Sequence, residues 1–168
     1  MTAENESDRK TKDRIVHIVK QSKQQGAKVL VDGTGLVVEG MENGFFVGAT
    51  LLDNVTPDME VFKEEFFGPV RIIVRVRTLD EAIDLINKHQ YGNGCCIFTN
   101  DGYASRKFFE SCEVGMIGVN VPVPIPPEFF NFGGFKRSRI GDGQMTGPDS
   151  FRFFTKMKTV SEKWFPST

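Results

Sequence analysis

A chain of 168 residues, 39% hydrophobic and 26% charged, is long enough for one ordinary domain and too apolar to be disordered by composition. Its 21 basic and 22 acidic residues are well mixed and leave a net charge of −1, so no strong field favours nucleic acid or an anionic membrane surface. Three cysteines, Cys95, Cys96 and Cys112, argue against a disulfide framework; with no CxxC pair, and His17 and His89 far apart, no metal site is expected. The polar start, Met1 to Asp8, lacks the apolar stretch of a secretory signal, and the apolar run from Phe45 to Leu52 is too short to span a bilayer. These features point to a cytoplasmic protein, or one of the mitochondrial matrix if imported in a eukaryote, with no membrane contact.

Residues 1–10 read as a flexible lead. From Lys12 to Gln25, Ile15, Val16, Ile18 and Val19 recur at helical spacing, and Gly26 stops that helix. Lys28–Val31 reads as a strand and Asp32–Gly35 as a turn; strands are expected at Leu36–Val38 and Phe45–Val47, around the Asn43–Gly44 turn. After a turn at Pro57–Asp58, the β-branched run Arg71–Val76 is a strand. Thr78 and Glu81 form a capping box ahead of a helix that buries Ala82, Ile83, Leu85 and Ile86. Cys95–Phe98 is a buried strand, Ala104–Cys112 a helix and Ile117–Asn120 the next strand. Alternation over 72–120 implies βαβ units, hence an α/β fold with a mostly parallel sheet and flanking helices.

Four prolines between Val121 and Pro127 remove backbone donors and force an extended loop. A glycine-rich turn follows from Phe132 to Ser138. Phe153–Val160 alternates as a terminal strand would, and such a strand often adds to another element or another subunit. The organisation expected is a lead over 1–10, a body over 11–150 and a strand with its tail over 151–168.

The most informative run is Lys63-Glu64-Glu65-Phe66-Phe67-Gly68-Pro69-Val70. It sets two carboxylates and two aromatic rings just before a turn and a buried strand. A carboxylate at the rim of an α/β sheet can accept two hydrogen bonds from a ribose diol, and a ring two residues on can flank a nicotinamide. The same residues also fit a solvated acidic pair leading into a structural turn, and spacing alone leaves both open.

This run resembles the signature of the aldehyde dehydrogenase superfamily. The resemblance continues in order through Tyr91-Gly92-Asn93-Gly94, Gly115 to Asn120, Phe132 to Lys136, and Thr155 to Val160, covering nearly everything from Lys12 to Trp164. The Asn120–Pro124 loop, Glu42–Gly48 and Val55–Met59 resemble the CoA-acylating methylmalonate-semialdehyde branch. The resemblance implies the family's catalytic-domain fold, with Glu65 holding the nicotinamide-side ribose of NAD and Phe67 packing beside the ring. Phe66 stands where an aliphatic residue is expected and reads as a bulkier core residue. The resemblance also implies that the loop to Phe132 walls the substrate tunnel, with Phe130 and Phe132 as candidates against the acyl chain or else hinge or core residues. Arg14 falls near the expected adenosine half, where a solvated helix face explains it equally well. Phe153 to Val160 would join an oligomerisation sheet.

The family reaction needs a nucleophilic cysteine that attacks the aldehyde and, after hydride leaves for NAD, carries a thioester to CoA; the branch also loses CO2, giving propionyl-CoA or acetyl-CoA. That cysteine and the glycine-rich cofactor turn are expected upstream of the matched region. No catalytic residue is therefore assigned here: Cys95 and Cys96 sit in an apolar strand, where a thiol is a small hydrophobe, and Cys112 adjoins Glu113. Three readings follow. The chain is an enzyme piece that needs an upstream half, a non-catalytic interaction module docking onto a full-length aldehyde dehydrogenase subunit, or a remnant without activity. An open sheet edge and exposed apolar face would drive self-association.

Overall fold

The computed structural model describes residues 3–5 and 8–166, and the chain divides into two units, residues 1–85 and 86–168. Residues 1, 2, 6 and 7 of the expected lead, and 167 and 168 of the expected tail, lie outside the described residues. Within the lead, β1 (Ala3–Asn5) is a strand, and α1 (Arg9–Gln24) begins before residue 11. The reason for the early start is Asp8, whose side chain accepts from the Thr11 backbone N–H at 2.7 Å and caps the helix. Ile15, Ile18, Val19 and Ser22 form the buried stripe, and Ser22 satisfies its hydroxyl on the Ile18 carbonyl at 2.8 Å. The helix closes as Gly26 suggested. With φ at 105°, Gly26 donates to the Lys23 carbonyl while Ala27 donates to that of Ser22, which satisfies two end carbonyls.

Four more strands and a short helix complete the first unit: β2 (Lys28–Val31), β3 (Phe46–Gly48), β4 (Thr50–Asp53), α2 (Glu60–Lys63) and β5 (Val70–Ile72). β1 pairs antiparallel with β3. In the three-stranded sheet β4 is central, antiparallel to β2 and parallel to β5, and Leu52 is in register with Val29 and Ile72. Leu52, Val47, Ile15 and Ile18 are fully buried, and Phe62, Phe66 and Val74 pack against that core. The strand expected at 36–38 is absent. The backbone there makes tight turns, with Leu36 donating to Gly33 and Met41 to Val38.

Asp53, at the end of β4, is buried and held by both nitrogens of the Arg75 fork, at 2.9 and 2.7 Å, and by the Asn54 N–H at 2.7 Å. The Arg75 hydrogen bonds lower the Asp53 carboxyl below its ordinary value, with the Asn54 backbone adding to them. A carboxyl depressed in the folded state stabilises fully above its unfolded pKa of about 3.9 and loses that contribution as pH falls through the lower folded value. Asp53→Asn is therefore expected to lower Tm at pH 7, and the gap to the wild type should shrink as pH falls below about 4. Thermal melts of both proteins from neutral pH to pH 3 check this; a gap independent of pH would contradict it.

α3 (Leu79–Lys88) runs across the boundary between the units. Its capping box forms with one change: Glu81 donates its N–H to Thr78 Oγ1 at 3.1 Å, but its carboxylate reaches past Thr78 to the Arg77 N–H at 2.8 Å.

The second unit contains β6 (Tyr91–Gly92), β7 (Gly94–Ile97), α4 (Gly102–Ser111), β8 (Met116–Val119), β9 (Phe135–Lys136), a 3-10 turn (Gly147–Asp149) and α5 (Ser150–Phe154). β7–α4–β8 is the anticipated βαβ unit, with parallel pairing from Gly94 opposite Met116 to Ile97 opposite Val119. α4 is capped by Asp101, which accepts from Tyr103 and Ala104. β6 and β9 pair antiparallel.

Two expectations need correction. The described strands form four small sheets rather than one, and their pairing is not mostly parallel: only β4–β5 and β7–β8 are parallel, while β1–β3, β2–β4 and β6–β9 are antiparallel. The expected strand over 153–160 is not formed either. Phe153 and Phe154 end α5, and 155–166 are exposed without regular structure. A strand is completed by pairing, and alternation alone supplies no partner. No described helix is long and apolar enough to cross a membrane.

Candidate functional site

α2 ends at Lys63, whose Nζ donates to the Asp58 carbonyl at 2.7 Å, and Glu64 leaves the helix in extended conformation. Beyond it the chain runs without regular pairing until Pro69 accepts from the Thr50 N–H at 2.9 Å and begins the β4–β5 ladder. Phe66 is half-buried against the core of the first unit, whereas Glu65 is exposed and Phe67 is 83% exposed. The half-buried Phe66 ring thus works as an anchor, and its neighbours Glu65 and Phe67 are left exposed to solvent. Phe66 is the core residue that its departure from an aliphatic suggested.

A long contact from α1, which sequence reasoning missed, reaches this segment. Arg14, on the exposed face of α1, has Nη2 3.5 Å from the Glu65 backbone carbonyl. Residues 51 positions apart in sequence carry no local signal of such a contact.

Phe130 and Phe132 belong to the second unit and are 57% and 44% exposed. Phe130 lies against Phe129, with ring centroids 4.9 Å apart. The far end of their loop is pinned by three side-chain or turn contacts: Phe130 N–H to the Pro127 carbonyl, Asn131 Nδ2 to Asp149 at 3.0 Å, and Phe132 N–H to Thr146 Oγ1 at 2.8 Å. The near end is set by Asn120. With φ at 57° it reverses the chain after β8, and its amide clamps Thr99 twice at 2.9 Å, accepting from the N–H and donating to the carbonyl. Asparagine tolerates this left-handed conformation, which is the one sequence signal that could have found it.

Lys136 has a structural task that the sequence did not disclose. Its Nζ donates to the Ile86 and Asn87 carbonyls at 3.1 and 2.7 Å, placing a cation at the C-terminal end of α3.

Two of the three thiols, Cys95 and Cys112, are poor nucleophiles. Burial pushes Cys95 up to about 12, helped by its hydrogen bond to Cys112, and burial raises Cys112 as well. No group of three or more described His, Cys, Asp or Glu residues could hold a metal ion.

Residues 7–160 match the model of the aldehyde dehydrogenase family. The chain is 56% identical over 140 residues to malonate-semialdehyde dehydrogenase of Pseudomonas aeruginosa, covering 83% of this chain and 28% of that protein. It is 48% identical over 156 residues to the acylating mitochondrial methylmalonate-semialdehyde dehydrogenase of Arabidopsis thaliana, covering 93% of this chain and 26% of the relative. The fold superimposes with a TM-score of 0.87 and 46% identity on the NAD complex of a Sinorhizobium meliloti protein of proposed methylmalonate-semialdehyde dehydrogenase activity, covering 95% of this chain and 32% of the other. The chain thus spans between a quarter and a third of the length of each of these relatives.

Proposed function

This chain belongs to the aldehyde dehydrogenase family, and on that premise we propose that it supplies the C-terminal share of an NAD-dependent, CoA-acylating malonate- or methylmalonate-semialdehyde dehydrogenase. The observation that carries this reading is the exposure of Glu65 and Phe67 on either side of the half-buried Phe66. An exposed carboxylate suits a ribose diol, and an exposed ring one side chain away suits a nicotinamide face, so the residues present fit the nicotinamide end of NAD. NAD supplies the hydride acceptor; CoA, when it follows, supplies the thiol that takes the acyl group. The chain's own part is orientation: Glu65 grips the sugar, Phe67 limits the tilt of the ring, and Arg14 and Phe66 hold the segment between them.

In this reading the nucleophile comes from an upstream segment, as the resemblance implies. A thiol at about 12 is almost wholly protonated at neutral pH, and Cys95 and Cys112 spend their polarity on each other. The chain alone is accordingly inactive in this reading and works with an upstream segment of the same enzyme. The name of the Arabidopsis relative places that protein in the mitochondrion, which supports a mitochondrial site if this chain comes from a eukaryote.

Glu65→Gln tests the assignment in the enzyme assembled with its upstream half. Losing hydrogen bonds to a charged acceptor costs about 1.5–3 kcal/mol, so kcat/KM for NAD is expected to fall by roughly 10- to 150-fold, read as NADH absorbance. An unchanged kcat/KM would remove Glu65 from the cofactor site.

The exposed 155–166 segment, with Met157 97% and Trp164 87% exposed, favours a second reading as an interaction module. Residues 155 to 160, which follow α5, would add to a strand of a second copy or of a full-length aldehyde dehydrogenase subunit. Retention of the chain by such a subunit, lost on truncation after Phe154, would support that reading.

A further inference from the structure

We propose that Gly118 is a positioning residue for the loop that carries Phe130 and Phe132, acting as the bare floor on which the start of that loop lies. This rests on the reading of the loop as the wall facing the substrate. Gly118 is buried in β8, opposite Cys96 of β7. A methyl carbon placed on it would lie 2.5 Å from Val121 Cγ2, 2.9 Å from Cys96 Sγ and 3.4 Å from Pro124 Cβ. Two positions along the same face, a methyl carbon on Gly94 would lie 2.9 Å from Pro124 Cγ and 3.2 Å from the Met116 carbonyl oxygen. The two glycines therefore leave a shallow seat across the parallel pair, and Val121 and Pro124 occupy it.

The route into the seat is short. Asn120 turns the chain back at φ 57°, which brings Val121 over the residue three positions earlier. Pro124 and Pro126 are half-buried while Val121, Val123 and Ile125 are exposed, and Pro124 is the residue of the loop's first half that lies against both glycines. The second half is pinned by Asn131 and Phe132 on residues 146–149. The loop is braced at both ends, and Gly118 sets the height of the first. Its backbone is outside the left-handed region, so an alanine there tests space alone.

The test compares the wild-type chain, Gly118→Ala, and Gly118→Ala combined with Val121→Ala. Methyl NMR follows Val121, Val123 and Ile125, and hydrogen exchange follows the Phe130 and Phe132 amides, which donate hydrogen bonds within the loop region. Gly118→Ala is expected to shift the methyls and speed exchange at both amides at least about fivefold, with β4 amides unchanged. Removing both γ-methyls of Val121 in that background is expected to bring both amides back to within about twofold of the wild type. Loop signals unchanged by Gly118→Ala, or not restored by the second change, would overturn the proposal. If Gly118→Ala does not fold, Pro124→Gly empties the seat without adding a carbon to the strand; it should speed the same two amides, and no effect would overturn the proposal equally. The functional reading is separated by the enzyme assembled with its upstream half. There Gly118→Ala should change KM for the semialdehyde more than kcat; a displaced loop with KM unchanged would remove the substrate role and leave the seat standing.

Discussion

Replacing Gly115 by alanine is expected to cost the second unit more than any other single methyl in it. Gly115 immediately precedes β8 and donates its N–H to the Gly92 carbonyl at 3.0 Å. An added methyl carbon would run into the Gly133 carbonyl oxygen and lie 2.7 Å from both the Gly133 carbonyl carbon and the Gly134 Cα. Overpacking against side chains typically costs about 1–3 kcal/mol because rotamers can give way. Here the obstacle is backbone, and moving it would pull on Ser138, which accepts from the Gly92 N–H at 3.1 Å, and on the β6–β9 pair. A loss of at least about 3 kcal/mol is expected, or roughly 12 °C in Tm for a unit of this size. A differential scan in which the variant melts within about 2 °C of the wild type would show that the glycine-rich turn does not rest on β8.

In the first unit the largest loss is expected from Leu52→Ala. Leu52 is 0% exposed at the middle of the central strand, in register with Val29 on one side and Ile72 on the other. Its carbonyl also accepts from the Ile73 N–H at 2.8 Å, so the strand cannot easily move in to fill a hole. Truncation of such a leucine costs about 3–5 kcal/mol, whereas Leu52→Met should cost less than about 1.5 kcal/mol because volume is kept. Urea unfolding of both variants checks the ordering; equal losses would mean that the site collapses or that Leu52 is not central to the core.

How much of this was legible in the sequence depended on the range of each interaction. α1 could be read because Ile15, Ile18 and Val19 repeat at helical spacing and Gly26 marks a left-handed stop. The capping box at Thr78 and the β7–α4–β8 unit could be read for the same reason, that their signals are local. β4 was missed because a central strand such as Thr50–Asp53 is buried on both faces and shows no alternation. α2 was missed because four residues are too few for a helical period. The pairings of β1 with β3 and of β6 with β9 join segments far apart in sequence, and nothing local in either strand names its partner. Phe153–Val160 shows the converse: it alternates well, yet its first two residues end a helix and the rest find no strand among the described residues to pair with.

The candidate site divides in the same way. Glu65 and Phe67 stood out as a carboxylate and a ring at fixed spacing, and the structure leaves both exposed. The Arg14 contact, the Asn120 clamp and the two glycines under Pro124 depend on residues from separate elements meeting, which no motif in one segment can express.

The measurement that most directly tests the central claim is NADH formation from malonate semialdehyde with NAD and CoA, by the folded chain alone and after addition of an upstream segment from a full-length relative. The account predicts no turnover from the chain alone and turnover on addition of a segment that is itself inactive. Turnover by the chain alone would contradict it and would require a nucleophile among Cys95, Cys96 and Cys112.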